Sequence, residues 1–221
     1  MPVSRRAELL AWAAERRALV LEDDYDGEFR FGVPPLSPLR SMPGGDEHVV
    51  YLGTSAKVLS RALRISWAVP PARFRAALRE HVDRSGDTVS GVSAALLCAY
   101  ISGGALARHQ ARALRTYSAR QHHFVAACRE LIPGARALGI EAGLHVVLAF
   151  DAPFDDVAAA ARLADAGLAC LPLSDFYARP GPADRAGLVC GYSRLPETRA
   201  RPAAQLIARV AAELSGGQTT G

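Results

Sequence analysis

Short apolar segments that stop abruptly at polar residues or prolines alternate with helix-like segments, and this alternation constrains the fold more than any other feature. Apolar residues at helical spacing from about Arg5 to Arg17 predict a helix before the first of these segments. The strand-like segments are ALVLEDDY at 18–25, HVVYLGT at 48–54 and RISWAVP at 64–70. A further helix is predicted after Pro71, because proline fits the first turn of a helix. The pattern is typical of an α/β domain.

The rest of the chain continues in the same way. VSGVSAALLCAYISG at 89–103 predicts a strongly apolar, buried helix, and a long helix is predicted from about Ala105 to Leu131. Beyond the IPG at 132–134, strand-like and helix-like segments again alternate. We therefore expect four parts: residues 1–104 in a first domain, 105–131 as a connecting helix, 132–214 as a small C-terminal α/β domain, and 215–221 as a disordered tail.

The basic residues are almost all arginine. The chain has a formal net charge of +4, and Lys57 is the only lysine among its 26 lysines and arginines. A guanidinium stays protonated, whereas a buried ammonium can lose its proton and act as an amine nucleophile. A single lysine in this background is a candidate for amine chemistry, although chance survival on a surface explains it as well. Arg108, Arg112 and Arg115 share a helix face, which favours a solvated surface over a nucleic-acid or membrane surface.

Cysteine spacing and hydropathy indicate the cellular environment of the protein. The four cysteines, Cys98, Cys128, Cys170 and Cys190, form no C-x-x-C pair, so we expect reduced, buried thiols without a metal in a cytoplasmic protein. No apolar run approaches the roughly 18 residues that span a bilayer, and the N-terminus has no signal-peptide pattern. We expect no contact with a membrane.

Polar side chains at the ends of the predicted strands suggest a cofactor. Pyridoxal phosphate (PLP) needs an amine for its aldehyde, a carboxylate for its ring nitrogen, a hydroxyl near its phenolic oxygen, and hydroxyl and guanidinium groups for its phosphate. The carboxyl ends of strands in open α/β sheets face a ligand crevice. Three short stretches near these ends supply such groups: Asp23, Tyr25, Thr54, Ser55, Lys57 and Arg64.

Taken together, VLEDDYDGEFRF and VVYLGTSAKVLSRALRISWAVPP resemble the core of class I/II aminotransferases of PLP fold type I. They are most similar to the aminotransferase-like domain of MocR-type regulators of the GntR family. The resemblance implies that Lys57 is the Schiff-base lysine and that Asp23 pairs with the pyridinium. It also implies that Tyr25 bonds the phenolic oxygen and that Thr54 and Arg64 contact the phosphate, with Ser55 as a further cofactor-binding hydroxyl.

The resemblance also implies an architecture. The chain would hold part of the three-layer α/β/α large domain, with three strands of an incomplete sheet, followed by the small domain. It would then be a C-terminal fragment without the DNA-binding part, so we expect no nucleic-acid binding by this chain alone. An amino acid or amine is the expected ligand, and a complete protein would form a homodimer. The unpaired sheet edge predicts self-association of the isolated chain.

Three departures from the family pattern bear on function. Ala56 and Ala62 stand where MocR-type domains usually have serine and glycine, and Ala62 would be strained if its φ were positive. Val189 occupies the place where many transaminases carry an arginine for the substrate carboxylate. Three functions therefore remain open: a PLP-binding sensor module of a MocR-type regulator, a stand-alone or truncated amino acid aminotransferase, and a remnant that binds no cofactor.

Overall fold

The computed structural model describes residues 1–24, 27–33, 36–86, 89–150, 154–178 and 186–216. Two compact units divide the chain. The first consists of Met1–Glu28 and Pro34–Gln110, and the second consists of Phe29–Val33 and Ala111–Gly221. Most of the tail predicted to be disordered, 215–221, lies outside the described residues.

The first unit is built on a small mixed sheet. Its strands are β1 (Val20–Asp23), β2 (Val49–Thr54) and β3 (Ser66–Val69). Its helices are α1 (Val3–Arg16), the single turn α2 (Gly45–His48), α3 (Arg75–Arg84) and α4 (Gly91–Ser102). Within the described ranges the sheet has the order β1-β2-β3, with β1 parallel and β3 antiparallel to β2. The three predicted strands are confirmed.

Helix α1 covers one face of this sheet. Its Leu10 packs with Leu39 and with Val49 of β2 in a small buried cluster. Arg6 is also buried, and its guanidinium lies 3.6 Å from the carboxylate of Glu22 in β1. That carboxylate accepts backbone N–H bonds from Leu39 at 2.6 Å and Arg40 at 3.2 Å. The helix, the strand and the loop after the strand are thus joined by one half-buried carboxylate.

The helix predicted at 89–103 is present, but the prediction that it is buried is wrong. Helix α4 forms, but none of its residues is buried, and Val92 is 81% exposed. Apolar residues surround the helix on all sides, which is typical of a helix with apolar neighbours on several faces. Hydropathy indicates which contacts a helix prefers, and within the described part of the chain these contacts leave every residue of α4 at least partly exposed.

The second unit contains a second sheet. Its strands are β4 (Ala135–Leu138), β5 (His145–Phe150), β6 (Cys170–Pro172) and β7 (Gly187–Gly191). Its described helices are the greater part of α5 (Ala105–Leu131), then α6 (Asp156–Asp165) and α7 (Glu197–Gly216). Among the described residues the strand order is β4-β5-β7-β6, all antiparallel. Strand β4 has no counterpart in the predictions, because its four residues ARAL alternate too briefly to indicate a strand.

The core of the second unit lies between this sheet and the helices. Side chains such as Phe124 of α5, Leu148 of β5, Leu163 of α6 and Ile207 of α7 are almost fully buried there. The core also encloses three of the thiols, at Cys128, Cys170 and Cys190, whereas Cys98 in α4 is exposed. The prediction of buried thiols is confirmed for those three and wrong for Cys98. In the described residues no group of three or more His, Cys, Asp or Glu side chains could hold a metal ion.

No single described helix is long and apolar enough to cross a membrane. Helices α4 and α5 together reach the required length and composition, but they are bent by 78° where they join.

Candidate functional site

The predicted carboxylate and one predicted hydroxyl lie on the same face of the first sheet. Asp23 ends β1 and is paired with Leu52 of β2 in parallel register. Thr54 lies two residues beyond Leu52, and side chains two apart in a strand share a face. Asp23 is exposed and Thr54 half-buried. Asp23 and Thr54 therefore lie at the carboxyl ends of neighbouring parallel strands, where ligands of open α/β sheets bind.

Lys57 lies in a single tight turn directly after β2. The backbone N–H of Leu59 donates to the carbonyl of Ser55 at 2.9 Å, which closes the turn around the lysine. The N–H of Ser55 donates to the carbonyl of Ile65 at 3.0 Å, which ties the start of the turn to the approach of β3. Lys57 itself is half-buried. The turn thus places the backbone of Lys57 just beyond the carboxyl end of β2, three residues after Thr54.

The two hydroxyls that precede Lys57 are bonded differently. Ser55 is 3% exposed, and its hydroxyl donates to the carbonyl of Ile65 at 3.0 Å. Thr54 makes a long contact of 3.4 Å to the same carbonyl and accepts bonds from the N–H of Ala56 and the hydroxyl of Ser66. An O–H···O bond is normally 2.5–3.0 Å long. The Ser55 hydroxyl therefore donates the shorter bond to Ile65, and the bond that Thr54 donates is the longer and weaker one.

Gly53 has no room for a side chain, a feature that the sequence predictions missed. A Cβ atom at this position would lie 2.3 Å from Nε1 of Trp67, which is paired with Gly53 across β2 and β3. The indole therefore lies directly over the backbone of the GTSAK segment. Trp67 is 42% exposed although it is large and apolar. Glycine at 53 is required by this close approach and not by its own φ.

Tyr51 and Asp24 form a second polar contact at the same end of the sheet. The phenol of Tyr51 donates to Oδ2 of Asp24 at 2.9 Å, and Oδ1 of Asp24 accepts the N–H of Gly27 at 3.1 Å. Burial, followed by the hydrogen bond to Asp24, raises the pKa of Tyr51 well above its usual value. Asp24, the second aspartate of the EDDYD motif, thus fixes the backbone directly after β1. Tyr25, predicted to bond the phenolic oxygen of a cofactor, lies outside the described residues.

Arg64 adopts a backbone conformation that is unfavourable for arginine. Its φ is 53°, in the left-handed region, and its side chain is exposed. Ala62, for which a positive φ would have been a concern, lies in a 3-10 turn from Arg61 to Leu63 and has no positive φ. The turn begins at Ser60, whose hydroxyl accepts the N–H of Ala62. The missing glycine is therefore tolerated, and the strain falls on Arg64.

We expect Arg64→Gly to stabilise the fold by up to about 1 kcal/mol. A left-handed residue with a Cβ is strained by about 1–2 kcal/mol, and glycine removes this strain. Part of the gain is offset because glycine raises the conformational entropy of the unfolded chain. The same change should weaken PLP binding about tenfold or more if Arg64 contacts the phosphate as the resemblance implies, since that charge-assisted contact would be lost. Urea unfolding and PLP titration measure the two effects. Arg17, at φ 51° after α1, is the matched control. Arg17→Gly should give a similar gain in stability with unchanged PLP binding, and equal loss of binding in both variants would contradict the role of Arg64.

Val189 occupies the middle of β7 in the second unit. It is paired with Val147 of β5 and with Leu171 of the edge strand β6, and it is half-buried. The position thus presents an aliphatic side chain on this face of the sheet. Arg185, one of its flanking arginines, lies outside the described residues, and Arg194 is exposed.

Comparison with known proteins places the chain among regulators and aminotransferases. It is 35% identical over 199 residues to the uncharacterized HTH-type transcriptional regulator YhdI of Bacillus subtilis, covering 89% of this chain and 42% of that protein. It is 30% identical over 200 residues to the probable rhizopine catabolism regulatory protein MocR of Rhizobium meliloti, covering 90% of this chain and 40% of that protein. The chain is a homologue of the MocR-type regulators. It spans less than half the length of these two relatives.

The fold of this chain is that of aminotransferases. It superimposes on the kynurenine aminotransferase of Pyrococcus horikoshii, crystallised with PMP, with a TM-score of 0.84 and 25% identity. The match covers 96% of this chain and 52% of that enzyme. No family model matches the chain. The predicted family and the α/β fold of part of a PLP fold type I protein are therefore confirmed.

Proposed function

We propose that this chain is the PLP-binding, aminotransferase-like part of a MocR-type regulator and that Lys57 holds the cofactor. The observation that carries the proposal is the position of the chain's single lysine in a hydrogen-bonded turn beyond β2, beside the strand ends that bear Asp23 and Thr54. Homology to regulators and the fold of an aminotransferase crystallised with PMP support the same cofactor.

The described residues fit the chemistry of PLP. An exposed carboxylate at Asp23 suits a pyridinium nitrogen, and the Thr54 hydroxyl, whose bond to Ile65 is long at 3.4 Å, suits a phosphate oxygen. The exposed guanidinium of Arg64 follows Lys57 by seven residues and suits the same phosphate.

Each of these groups would have a distinct task. When bound, PLP supplies an aldehyde that takes up amines and a ring that withdraws electrons. Lys57 would supply the amine, and Asp23 would hold the proton on the ring nitrogen. Thr54 and Arg64 would hold the phosphate, while Ser55 keeps the turn in place through Ile65. Tyr25 would bond the phenolic oxygen, and an amino acid or amine would be the ligand that competes with Lys57.

A sensing role fits better than turnover. A transaminase must hold the substrate carboxylate throughout two half-reactions, and an arginine does this well by bidentate geometry. The corresponding place in β7 holds the aliphatic Val189, between Val147 and Leu171. The amine of a ligand would still react with the cofactor. The protein would then respond to the bound ligand with a change of conformation. We further propose that the complete protein acts as a homodimer.

The test is to add amino acids to the PLP-loaded protein, with pyruvate or 2-oxoglutarate as amino acceptors. We expect some amino acids to shift the absorption spectrum of the bound cofactor without release of a keto acid. Stoichiometric or catalytic keto acid release would favour the aminotransferase alternative. A chain that takes up no PLP would overturn the proposal and leave the remnant alternative.

A further inference from the structure

His109, near the start of α5, contacts the segment that carries Lys57. Its Nε2 lies 2.8 Å from the carbonyl oxygen of Val58, the residue after the lysine. A carbonyl only accepts, so the ring donates this bond. Val58 is 7% exposed and His109 is half-buried, which shields the bond from competing water. This contact joins residues 51 apart in the sequence and is not part of any regular helix or strand pairing.

The bond from His109 adds a second anchor to the turn that carries Lys57. Upstream of Lys57, the N–H and hydroxyl of Ser55 both donate to Ile65. Downstream of Lys57, the carbonyl of Val58 is held by the imidazole of His109. Lys57 therefore lies between two anchored points that come from different parts of the first unit.

The imidazole is itself held in place. The ring of Tyr100 in α4 packs edge-on against it, with ring centroids 6.5 Å apart and an interplanar angle of 62°. Aromatic pairs favour this T-shaped arrangement. The position of the ring is thus set by α4 and α5 together and does not depend on the lysine turn alone.

We propose that His109 is a positioning residue that fixes the turn carrying Lys57 and so directs its amine toward the cofactor. A change far from the chemistry that displaces a reacting group slightly can lower a rate by about a hundredfold. The long side chain of lysine has many conformations, so the position of its backbone matters. The consequence for PLP uptake rests on the proposed function. The consequence for the order of the turn follows from the hydrogen bond itself.

The test compares His109→Leu with His109→Gln, whose amide nitrogen can still donate at a similar reach. His123→Leu is the matched control on the same helix, since His123 is exposed and its described contacts, with the carbonyl of Ala119, the side chain of Glu197 and the ring of His122, do not involve the turn that carries Lys57. Three quantities are measured: amide hydrogen exchange at Ala56 and Leu59, the rate at which trinitrobenzenesulfonate modifies Lys57, and the rate of PLP uptake. Peptide mapping separates Lys57 from the N-terminal amine, and circular dichroism checks that each variant folds.

For His109→Leu we expect exchange at Ala56 and Leu59 to become about five- to tenfold faster, the effect of losing one net hydrogen bond. The modification rate of Lys57 should change and PLP uptake should slow, whereas His109→Gln should restore all three to within about threefold. His123→Leu should match the parent protein.

The outcomes separate this inference from the proposed function. If the parent chain takes up no PLP but His109→Leu loosens the turn, His109 positions the lysine and the proposed cofactor is wrong. If PLP binds and His109→Leu leaves exchange, lysine modification and uptake unchanged, the inference is overturned and the cofactor stands. The inference would also be overturned if His109→Gln restored none of the three quantities. The hydrogen bond donated by His109 would then not be the cause of the changes seen in His109→Leu.

Discussion

Replacement of Lys57 by alanine should abolish the absorption band that develops when PLP is added to the chain. The cofactor's aldehyde needs a primary amine, and the sequence offers one side-chain amine, at Lys57. Lys57→Arg should fail equally, because a guanidinium keeps the positive charge but does not act as an amine nucleophile. The measurement is a PLP titration followed by absorbance after removal of free cofactor.

A second variant distinguishes position from the mere presence of an amine. Arg61 is exposed and lies four residues beyond Lys57, in the 3-10 turn. Arg61→Lys in the Lys57→Ala background restores a lysine near the site but outside the turn closed by Ser55 and Leu59. We expect no recovery of the band. Full recovery would show that any nearby amine suffices and that the turn has no special role.

Replacement of Asp156 by alanine should give a large loss of stability in the second unit. Asp156 is 4% exposed, and its carboxylate accepts three bonds: from the N–H and hydroxyl of Ser174 at 2.9 and 2.8 Å, and from the N–H of Gly187 at 3.1 Å. Charge-assisted bonds of this kind are strong, and their loss leaves buried donors unsatisfied. We expect the free energy of unfolding to fall by about 3 kcal/mol, measured by urea unfolding followed by circular dichroism.

Its neighbour provides the control. Asp155 is exposed and caps α6 by accepting the N–H of Ala158 at 2.9 Å. Asp155→Ala should cost about 1 kcal/mol, the usual cost of losing a helix cap. Equal losses for the two aspartates would mean that the buried bonds to Ser174 and Gly187 add nothing to an ordinary cap.

Local sequence patterns predicted the parts of the fold that depend on neighbouring residues. The strands ending at Asp23 and Thr54 were predictable because their apolar residues stop at polar ones, and this also placed the candidate site at their carboxyl ends. The Lys57 candidate came from composition, since one lysine stands among arginines. Helix α4 shows the limit of this reasoning, because hydropathy predicts what a helix prefers to contact and not whether that contact is present.

The residues that the sequence did not reveal are those brought together by the fold. Asp156 appears as one of two aspartates before a helix, and only the fold brings Ser174 and Gly187 to it from 18 and 31 residues away. His109 showed no catalytic spacing, because its partner Val58 lies 51 residues earlier. Trp67 reads as an ordinary strand residue until the register of β2 and β3 places it over Gly53.

The most direct test of a PLP site at Lys57 is to load the folded chain with PLP, reduce it with borohydride and map the modified peptide by mass spectrometry. Reduction makes the link between cofactor and amine permanent, and the chain offers the reagent two primary amines, Lys57 and the N-terminus. The account predicts one pyridoxyl group per chain, on the peptide that contains Lys57. Label confined to the N-terminal peptide, or no label on the folded chain, would contradict it.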